Sequence, residues 1–584
     1  MFQLKWLWRS MEPKYRRLFV TGMVLSAVTC LMLLINPSLT KELVDEVIEK
    51  GNREPLLRLL GIMLAVTAVR LTLRYLMVVC LELASQDSVC SLRRRLFDVL
   101  MYQEIAFFNR NRTGDLMTRM TGDLDWCRHF IAWISFNTID AVVTFLSTLI
   151  LFFTVDWKLT LTMLAVTPVL LVTTKIHSNK IRPKFGAMRE RLAEMNTAAQ
   201  ENIAGNRVVR AFAREEYEKQ RFTEKNRAFF DAHLAINRQW MKFFPWLEGL
   251  ANSMSLIAIF AGALFIILGS DLTLGSLSIF INLSWAMVMP MRNIGPLVND
   301  IQRVTASASK VMEVYYARPL IVDRPTAVER PEPQGKIVFE QVHFSFGHKK
   351  VLKDISFEVL PGQTLAIIGP TGSGKSVLIQ LLARFYDVQS GKILVDDWDV
   401  RDWKLQQLRS AVAPATQDVF LFSDTVEGNI IFGNEELTME QTAKFAHMAA
   451  ADEFVDAMPE QYNTIIGERG VGLSGGQRQR VALARALAMQ AAVLVLDDTT
   501  SALDLETERY IQEQLRELTC TKIIIAQRIS SVKDADLILV IEDGRITERG
   551  RHEELLQSRG YYWETHCLQN DGVHSESYQT RWVR

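Results

Sequence analysis

A short apolar run, residues 364–368, leads into Gly369-Pro370-Thr371-Gly372-Ser373-Gly374-Lys375-Ser376, and a helix-like segment follows at 377–382. This order of strand, glycine-rich turn and helix makes the pattern G-x-x-x-x-G-K-S a phosphate-binding site. The glycines let backbone N–H groups converge on an anion, and the helix adds the positive end of its dipole. Lys375 is expected to reach the β- and γ-phosphates of a nucleotide, and the Ser376 hydroxyl to ligate Mg²⁺.

The composition of the 584-residue chain argues against binding to nucleic acid through bulk charge. Lys and Arg together number 66, as do Asp and Glu, so the formal net charge is zero. Hydrophobic residues make up 49% of the chain, and their long runs fall in residues 1–310. The six cysteines are scattered without C-x-x-C spacing, which indicates reduced thiols and not a disulfide framework or a zinc site.

Six apolar segments are candidates to cross a membrane, since a helix needs about 20 apolar residues to span the hydrocarbon core. The predicted spans are residues 18–36, 59–81, 141–155 with an upstream extension to 130, 159–174, 249–270 and 272–291. Five cations within residues 5–17 precede the first span and indicate a cytoplasmic N-terminus. The sequence therefore predicts a multi-pass protein of the cytoplasmic (inner) membrane.

Two long polar segments, residues 83–129 and 175–239, fall on the cytoplasmic side of these spans. Their helical periodicity predicts that spans two to five continue as helices well beyond the bilayer. Residues 1–17 combine aromatic side chains with five cations, which predicts an amphipathic helix in the membrane interface.

Ionisable residues inside a span are functional candidates because they are costly in hydrocarbon. Five occur here: Arg70, Arg74, Asp140, Glu248 and Arg292. Glu248 and Arg292 sit near the ends of spans, where long side chains can reach the interface. Asp140 has two interpretations, contact with a substrate or a simple pair with an arginine.

A proline-rich linker, residues 318–335, precedes a second half in which strand-like and helical patterns alternate. This alternation predicts an α/β domain over residues 336–570, followed by a loose polar tail at 571–584. The buried-strand pattern 493–497 ends at Asp497, a position from which a carboxylate reaches Mg²⁺. The stretch Leu473-Ser474-Gly475-Gly476-Gln477 precedes a helix and predicts a second anion-binding helix N-terminus.

These motifs, in this order, resemble a half-transporter of the ATP-binding-cassette exporter family over residues 15–565. Gln417 lies in a Q-loop-like stretch, and residues 501–504 resemble the D-loop. Residues 467–470 resemble the segment before the LSGGQ motif. The resemblance implies an all-α six-helix transmembrane domain, residues 18–317, followed by a P-loop α/β nucleotide-binding domain.

In that family two cassettes close head to tail, and each ATP is held between the P-loop of one chain and the LSGGQ of the other. The resemblance thus implies a dimer that uses ATP and Mg²⁺, with coupling helices near residues 110–118 and 205–213. The residues it assigns to the nucleotide are Phe346, Gly369, Pro370, Thr371, Gly372, Ser373, Gly374, Lys375, Ser376, Val377, Gln417, Leu473, Ser474, Gly475, Gly476, Gln477 and Asp504. The residues it assigns to the metal are Ser376, Gln417 and Asp497.

Two departures from the family fall at the candidate catalytic positions. The family usually has Glu after the strand-end aspartate to polarise the attacking water, whereas this chain has Asp498, one methylene shorter. The family usually has His where this chain has Gln527, which can donate a hydrogen bond but cannot take a proton. Positioning errors of about 1 Å cost roughly a hundredfold in rate. The two changes therefore predict slow hydrolysis at a site that still binds ATP.

A third departure is Phe346, where the family usually has a tyrosine that stacks on adenine. Phenylalanine keeps the aromatic face and loses only the hydroxyl group. The alternative is that Phe346 is an ordinary core residue of a strand.

The sequence therefore predicts ATP-driven export of amphipathic small molecules, of the multidrug type, by one half of a heterodimer. The intact LSGGQ would complete the site of a partner chain that has the catalytic Glu and His. The alternatives are a homodimeric exporter with slow ATPase, a lipid or peptide translocator, and an ATP-gated channel or regulatory membrane subunit. The sequence does not specify the transported substrate.

Overall fold

The computed structural model describes residues 2–467 and 470–570. The predicted tail at 571–584 and two residues of the segment before LSGGQ, Glu468 and Arg469, lie outside the described residues. The chain divides into two compact units. The first comprises the chain up to Met101 together with Arg112–Ala317, and the second comprises Tyr102–Asn111 together with the chain from Arg318.

Residues 2–315 form helices joined by short turns. In chain order they are α1 (Phe2–Ser10), α2 (Pro13–Met32), α3 (Ile35–Glu42), α4 (Leu56–Met101), α5 (Ile105–Arg110), α6 (Thr113–Thr118), α7 (Leu124–His129), α8 (Ser135–Val155), α9 (Trp157–Leu164), α10 (Val166–Ala204), α11 (Asn206–Ala211), α12 (Glu215–Ile267) and α13 (Leu274–Tyr315). Wider π-helical turns at Leu43–Glu49, Arg119–Asp123 and Phe130–Ile134 extend some of them. All of these helices except α5 belong to the first unit.

Six helical stretches in the described part of the chain are long and apolar enough to cross a membrane, as the sequence predicts. They are Pro13–Glu49, Leu56–Met101, Thr113–Val155, Trp157–Ala204, Glu215–Ile267 and Leu274–Tyr315. Their lengths of 37 to 53 residues far exceed the minimum for a single crossing. Spans two to five are therefore long enough to continue beyond a bilayer as helices.

Capping side chains define where two of the spans begin. The Asp156 carboxylate accepts a hydrogen bond of 2.7 Å from the Leu159 N–H at the start of α9. Thr273 caps α13, and the Asp45 carboxylate accepts from the Gly275 N–H at 2.8 Å. Such caps satisfy backbone N–H groups that have no partner within the helix.

Two of the five charged residues within the spans pair with each other. Arg292 on α13 lies 2.8 Å from the Glu248 carboxylate on α12. Asp140 on α8 accepts a hydrogen bond from the Cys30 thiol on α2 at 3.1 Å. Among the residues that the structure describes, no ion pair joins an arginine to the Asp140 carboxylate, although Arg70 and Arg74 line the same cavity as Asp140.

The N-terminal helix is shorter than the predicted amphipathic segment. Helix α1 ends at Ser10, and residues 13–17 belong to the first long helix instead. Trp6 and Leu7 are buried, and the Trp6 ring meets the Tyr315 ring edge-on at 5.4 Å. One face of α1 therefore packs on α13, while its place in a membrane interface stays a prediction.

The second unit contains two β-sheets, which confirms the predicted α/β class. The strands are β1 (Ile337–Phe346), β2 (Lys349–Val359), β3 (Thr364–Ile368), β4 (Ser390–Val395), β5 (Trp398–Asp399), β6 (Val412–Ala415), β7 (Val493–Asp497), β8 (Thr521–Ile525), β9 (Leu537–Glu542) and β10 (Arg545–Gly550). An antiparallel sheet has the order β2-β1-β4-β5, and a six-stranded sheet has the order β10-β9-β3-β8-β7-β6. The second sheet is parallel except for the β9–β10 pair.

Helices connect and cover these strands. They are α14 (Lys375–Leu382), α15 (Leu405–Ala411), α16 (Val426–Ile430), α17 (Met439–Met448), α18 (Asp452–Asp456), α19 (Gly475–Ala488), α20 (Leu505–Arg516), α21 (His552–Ser558) and α22 (Tyr561–Asn570). The apolar side chains of β3, β7 and β8 fill cores on the two faces of the six-stranded sheet. A parallel sheet covered on both faces requires such continuous apolar strands.

The parallel register brings the candidate site together. Strand β8 pairs with β3 on one side and with β7 on the other, and Ile525 is level with both Ile367 and Asp497. The three strands therefore end at one edge, where ligands bind in open α/β sheets. The P-loop follows β3, Asp498 follows β7, and Gln527 follows β8.

A short segment from the apolar half of the sequence belongs to the second unit. Asn109 next to the end of α5 donates a hydrogen bond of 3.2 Å to the Tyr386 hydroxyl, and Glu104 accepts from the Leu320 N–H at 3.0 Å. The segment that belongs to the second unit is Tyr102–Asn111. They begin upstream of the stretch 110–118 expected to hold the first coupling helix and overlap it by only two residues.

Candidate nucleotide site

The P-loop wraps into a cradle because its glycines adopt backbone angles that other residues avoid. Gly369 has φ 150° and Gly374 has φ 105°. A Cβ on Gly369 would stand 2.0 Å from the Ile541 carbonyl oxygen, so only glycine fits. Helix α14 begins immediately afterwards at Lys375, with its N-terminus behind the loop.

The Lys375 ammonium bridges the loop from inside. Its Nζ donates to the Gly369 carbonyl at 2.7 Å and to the Pro370 carbonyl at 2.9 Å. Burial lowers the pKa of Lys375, and the carboxylates of Asp497 and Asp498 partly oppose that shift. The loop therefore holds a cation at its centre, which suits the binding of a polyanion.

Two adjacent carboxylates lie at the end of β7. Burial raises the pKa of Asp497, and the hydrogen bond from Ser376 together with the charge of Lys375 acts against this shift. Burial also raises the pKa of Asp498, opposed mainly by the charge of Arg528. The Asp498 N–H donates to the Ile525 carbonyl at 2.9 Å, which ties the position after β7 to the end of β8.

One cavity of about 570 Å³ gathers most of the predicted site residues. Of the residues predicted from the sequence, its lining includes Phe346, Thr371, Gly372, Gly374, Lys375, Ser376, Val377, Gln417, Asp497, Asp498 and Gln527. Gly369 and Pro370 contact Lys375 through their carbonyls and shape the loop without lining the cavity. The strand-end residues and the loop therefore face a single space.

Phe346 lies at the mouth of this cavity and not in the core of a strand. Its side chain is 43% exposed. The ring packs edge-on against Phe344 at 4.9 Å and against Tyr386 at 5.3 Å. These contacts hold the ring in place at the cavity, and its stacking on a planar ligand stays a prediction.

The residues at the two altered positions have different neighbours. The Gln417 Nε2 lies 3.5 Å from the Asp498 carboxylate, at the outer limit of a hydrogen bond. The Gln527 side chain is exposed, while its backbone carbonyl accepts from Gln569 Nε2 at 2.7 Å. Both side chains thus face the cavity from the ends of β7 and β8.

The structure adds lining residues that the motifs do not indicate. Lys349, Lys350 and Lys353 of β2 line the cavity, as do Asp543 and Gly544 from the β9–β10 turn. Strand β2 pairs with β1 so that Lys349 lies opposite Phe346. The signal in the sequence is the lysine-rich start of the strand after Phe346, which brings positive charge near the phosphate cradle.

The LSGGQ residues occupy a different place from the P-loop. Ser474 caps α19, and its hydroxyl and the Gln477 side chain form a reciprocal capping box. A Cβ on Gly476 would stand 3.1 Å from the Ala502 carbonyl, so this motif packs closely on the D-loop-like stretch. Asp504 caps α20 by accepting from the Thr507 N–H at 3.0 Å. None of the described lining of the P-loop cavity comes from residues 473–477 or Asp504.

The residues present fit a magnesium nucleotide. Ser373 is buried, and its hydroxyl has no hydrogen-bond partner within the described residues. A free donor inside a phosphate loop suits a phosphate oxygen, since buried polar groups otherwise find partners. Ser376 and Asp497 offer oxygen atoms to a divalent cation, and oxygen ligands are those that Mg²⁺ prefers.

The sequence matches two family descriptions. Residues 19–291 match "ABC transporter transmembrane region", and residues 352–501 match "ABC transporter". The two matches correspond to the helical first half and to the part of the second half that carries the cavity and the LSGGQ residues.

Individual proteins match over most of the chain. The uncharacterized ABC transporter ATP-binding protein YknU of Bacillus subtilis (strain 168) is 36% identical, covering 82% of this chain and 83% of that protein. The ATP-dependent lipid A-core flippase of Syntrophus aciditrophicus (strain SB) is 33% identical, covering 96% of this chain and 93% of that protein. A solved structure of a bacterial Atm1-family ABC exporter with ATP bound has a TM-score of 0.79 and 26% identity, covering 97% of this chain and 100% of that one.

Proposed function

The chain belongs to the ABC transporter family as an exporter-type half-transporter, and on that premise we propose that it is the degenerate half of a heterodimeric exporter. It is a multi-pass inner-membrane protein whose cassette lies in the cytoplasm. Its own P-loop site binds ATP and hydrolyses it slowly. Its LSGGQ residues complete the hydrolytic site of a partner chain, and the dimer exports amphipathic small molecules.

The observation that carries this proposal is that an intact binding loop and two altered catalytic positions share one cavity. Lys375 and Ser376 keep the groups that hold phosphate and metal. Asp498 and Gln527 line the same space, which supports their proposed roles beside the attacking water and the γ-phosphate. A site of this composition supports binding more than turnover.

Two properties of Asp498 act in opposite directions on the hydrolysis rate, namely its raised pKa and its shorter side chain. Burial raises its pKa, which by itself favours acceptance of a proton. The side chain is one methylene shorter than glutamate, however, which moves the carboxylate by about 1.5 Å. A displacement of that size costs on the order of a hundredfold in rate, and a raised pKa does not restore the lost reach. Gln527 adds no compensating acid or base.

The position of LSGGQ supports completion of a second site. Residues 473–477 do not line the cavity of their own chain. Ser474 and the start of α19 instead present an anion-binding helix N-terminus elsewhere on the cassette. A nucleotide held by a partner's P-loop is the ligand that this surface fits.

The residues of this chain have separable tasks when the nucleotide is bound. Phe346 stacks on the base, and the Lys375 ammonium and the loop N–H groups bind phosphate oxygens. Ser376, Gln417 and Asp497 would hold Mg²⁺, which when bound neutralises charge on the phosphates. Because the loop and Lys375 still bind ATP while Asp498 and Gln527 make hydrolysis slow, ATP stays in this site for longer than in the partner's site.

Transport follows from the difference in ATP affinity between open and closed cassettes. Binding favours the closed dimer only to the extent that ATP contacts both chains there. Hydrolysis at the partner's site removes these contacts and lets the dimer reopen. The long helices beyond the spans would carry this change to the transmembrane region.

The first test replaces one catalytic acid at a time in the purified heterodimer. Asp498→Asn should change the ATPase rate by less than about twofold, because this site contributes little turnover. Replacing the partner's catalytic glutamate with glutamine should lower the rate by about a hundredfold or more. Steady-state phosphate release in liposomes measures both.

Two results would contradict the proposal. One is loss of ATPase activity in the Asp498→Asn variant, which would make Asp498 catalytic. The other is a robust ATPase from this chain purified alone, which would favour the homodimeric exporter. Mass analysis of the complex isolated from its source separates these assemblies independently. The converse change, Asp498→Glu with Gln527→His, should raise hydrolysis at this site.

A lipid translocator is the second candidate for the transported substrate. A relative 33% identical to this chain is named as a lipid A-core flippase. The same spans and cassettes would serve such a substrate. Movement of a labelled lipid between leaflets, compared with accumulation of an amphipathic dye in vesicles, distinguishes the two.

A further inference from the structure

The segment after β8 borders a second cavity of the cassette in addition to the P-loop cavity. Ala526 and Gln527 line the P-loop cavity, whereas the next three residues, 528–530, line another cavity of about 640 Å³. The rest of this second lining comes from α20, α21, α22 and the turn after residue 530: Leu505, Lys533, His552, His566 and Gln569. Consecutive residues of one short segment therefore face two different spaces.

A glutamine from α22 holds this segment in place. The Gln569 side chain accepts a hydrogen bond of 2.8 Å from the Ile529 N–H and donates one of 2.7 Å to the Gln527 carbonyl. One amide thus occupies backbone groups on both sides of Arg528. The position of Arg528 at the second cavity is therefore fixed by the chain itself.

Four of the residues that line the second cavity are basic. They are Arg528, Lys533, His552 and His566. Lys533 is exposed, and its ammonium has no hydrogen-bond or ion-pair partner among the described residues. None of the described residues in this lining carries a carboxylate. A space with cations and no acid in its wall attracts an anion.

Two of the basic side chains are anchored and still have donors to offer. Arg528 Nη1 lies 2.9 Å from the buried Glu508 carboxylate, and 43% of the arginine side chain is exposed. A guanidinium carries five N–H groups, so one ion pair leaves several of them for a ligand. Nδ1 of His552 shares a hydrogen bond of 2.7 Å with the hydroxyl of the fully buried Tyr562, which leaves Nε2 for another partner.

The basic groups also act on one another electrostatically. Burial lowers the pKa of His552, and the charges of His566 and Lys533 lower it further, while Asp534 and Glu553 oppose the shift. The rings of the two histidines lie 5.6 Å apart. A bound anion would relieve this repulsion.

The size and the chemistry of the lining indicate which anion fits. Sites for whole small molecules measure about 300–1,000 Å³, so a cavity of 640 Å³ is larger than a single small ion needs. Leu505 contributes an apolar side chain that is 73% exposed, and Ser530 contributes a hydroxyl group. Guanidinium and ammonium groups are the donors that proteins use for phosphate oxygens. A phosphate group on a small organic body matches both parts of the lining.

We propose that this cavity is a second phosphate-binding site of the cassette, in which Lys533 and Arg528 hold the phosphate group of a small organic phosphate. The apolar side chain of Leu505 contacts the organic body. The inference goes beyond the proposed export function and depends neither on ATP turnover nor on the identity of the partner chain.

The test measures binding to the full chain without nucleotide, in a detergent that contains no phosphate. Lys375→Ala removes most phosphate binding at the P-loop, so the binding that remains reports the second cavity. The probe is phenyl phosphate, followed by saturation-transfer NMR of its ring protons. It should bind at least about tenfold more tightly than benzyl alcohol, which has the ring without the charge.

Three variants in the same Lys375→Ala background locate the binding. Lys533→Gln should weaken it by about tenfold, because a charge-assisted hydrogen bond is lost. Lys533→Arg should retain most of it, which separates lost charge from misfolding. The matched control is Lys444→Gln, an exposed lysine on α17 outside the cavity, which should have no effect.

Inorganic phosphate distinguishes the two sources of a phosphate group. It should displace phenyl phosphate only at about tenfold higher concentration, because it has no organic body to bury. Displacement at equal concentration would identify a site for free phosphate and overturn the assignment to an organic phosphate.

Four other results would overturn the inference. Benzyl alcohol could bind as tightly as phenyl phosphate, or Lys533→Gln and Lys444→Gln could have equal effects. Disappearance of all binding in Lys375→Ala would assign the phosphate to the P-loop alone. Loss of binding in the assembled dimer would show that the partner chain covers the cavity.

Discussion

Asp498 holds its carboxylate on a backbone turned into the left-handed region, with φ 51°. Aspartate accepts this conformation more readily than longer side chains do, because its short polar group hydrogen-bonds locally. Glutamate at this position would carry a strain of about 1 kcal/mol. Aspartate at position 498 therefore shortens the side chain and also lowers the backbone strain where β7 ends.

The buried carboxylate of Asp497 leads to a prediction about pH. Its pKa is raised, so the proton returns at a higher pH than for an ordinary aspartate, whose pKa is about 3.9. A protonated Asp497 is a poor ligand for Mg²⁺, and the affinity for Mg-nucleotide should therefore fall as the pH is lowered from 7 into the range, above that of an ordinary aspartate, in which Asp497 takes up its proton. Titration with a fluorescent ATP analogue at each pH measures this affinity.

The matched control is Asp497→Asn, which cannot titrate at this position. Its affinity at pH 7 should be lower, and acidification should change it less than it changes the wild type. An equal pH dependence in both would show that only the phosphates titrate. The sign for stability is opposite: because the folded pKa of Asp497 lies above the unfolded one, the free energy of unfolding falls as the pH rises from the unfolded pKa through the folded pKa.

The sequence motifs predicted the site residues at the ends of strands. They missed the residues that strand pairing or a turn places beside the cavity. Lys375, Asp497 and Gln527 could be found because parallel strands end at one edge. Lys349 and Lys350 reach the cavity through the pairing of β2 with β1, and Asp543 through a turn. No local pattern encodes such contacts, because they depend on register.

At the scale of elements, one buried glutamate connects α20 to the segment after β8. Glu508 is 3% exposed and lies 2.9 Å from the Arg528 guanidinium. It also accepts from the hydroxyls of Thr500 and Ser531. The D-loop-like stretch and the segment carrying Gln527 are thereby fixed to each other.

Glu508→Ala should destabilise the cassette by about 1–2 kcal/mol, because it leaves the Thr500 and Ser531 hydroxyls without their acceptor, while the half-exposed Arg528 regains contact with water. Thermal unfolding of the full chain, followed by the cassette transition, measures the loss. The control is Glu513→Ala on the same helix, which removes an exposed pair with Arg509 at 3.4 Å and should leave the transition unchanged. Equal shifts in both variants would mean that burial of Glu508 contributes nothing.

Long apolar helices were the most predictable elements, since their length and composition are set by the membrane. The apolar run 59–81 predicted the membrane-crossing part of α4, and the polar periodicity after it predicted that the helix continues; α4 ends at Met101 after 46 residues. The place of Tyr102–Asn111 in the second unit was not predictable in the same way, because contacts such as those of Asn109 with Tyr386 and of Glu104 with Leu320 join residues far apart in the sequence. Contacts between residues so far apart in the chain produce no periodic pattern in the sequence.

At the scale of the whole molecule, the P-loop cavity and the LSGGQ residues of this chain can be tested separately. Ser474→Arg should abolish most ATP turnover by the heterodimer, because it places a bulky side chain where the partner's ATP would sit. Binding of a fluorescent ATP analogue to the P-loop of this chain alone should remain within about twofold, since residues 473–477 do not line that cavity.

The chain offers a matched control for the loss of a helix cap. Thr438 caps α17 with the same reciprocal capping box that Ser474 forms on α19. Thr438→Arg should cost about 1 kcal/mol of stability and leave turnover intact. If it lowers turnover as much as Ser474→Arg, the effect is one of folding. If Ser474→Arg also abolishes binding to the P-loop of this chain, the division between the two sites is wrong.

The hydrogen bonds from the Lys375 ammonium to the Gly369 and Pro370 carbonyls have a consequence for the entropy of nucleotide binding. They keep the loop wound around a positive centre through contacts within the chain itself. A triphosphate that exchanges partners with such a preformed host loses little loop entropy on binding. The loop is thus a rigid receptor whose shape is set by the chain and not by the phosphates.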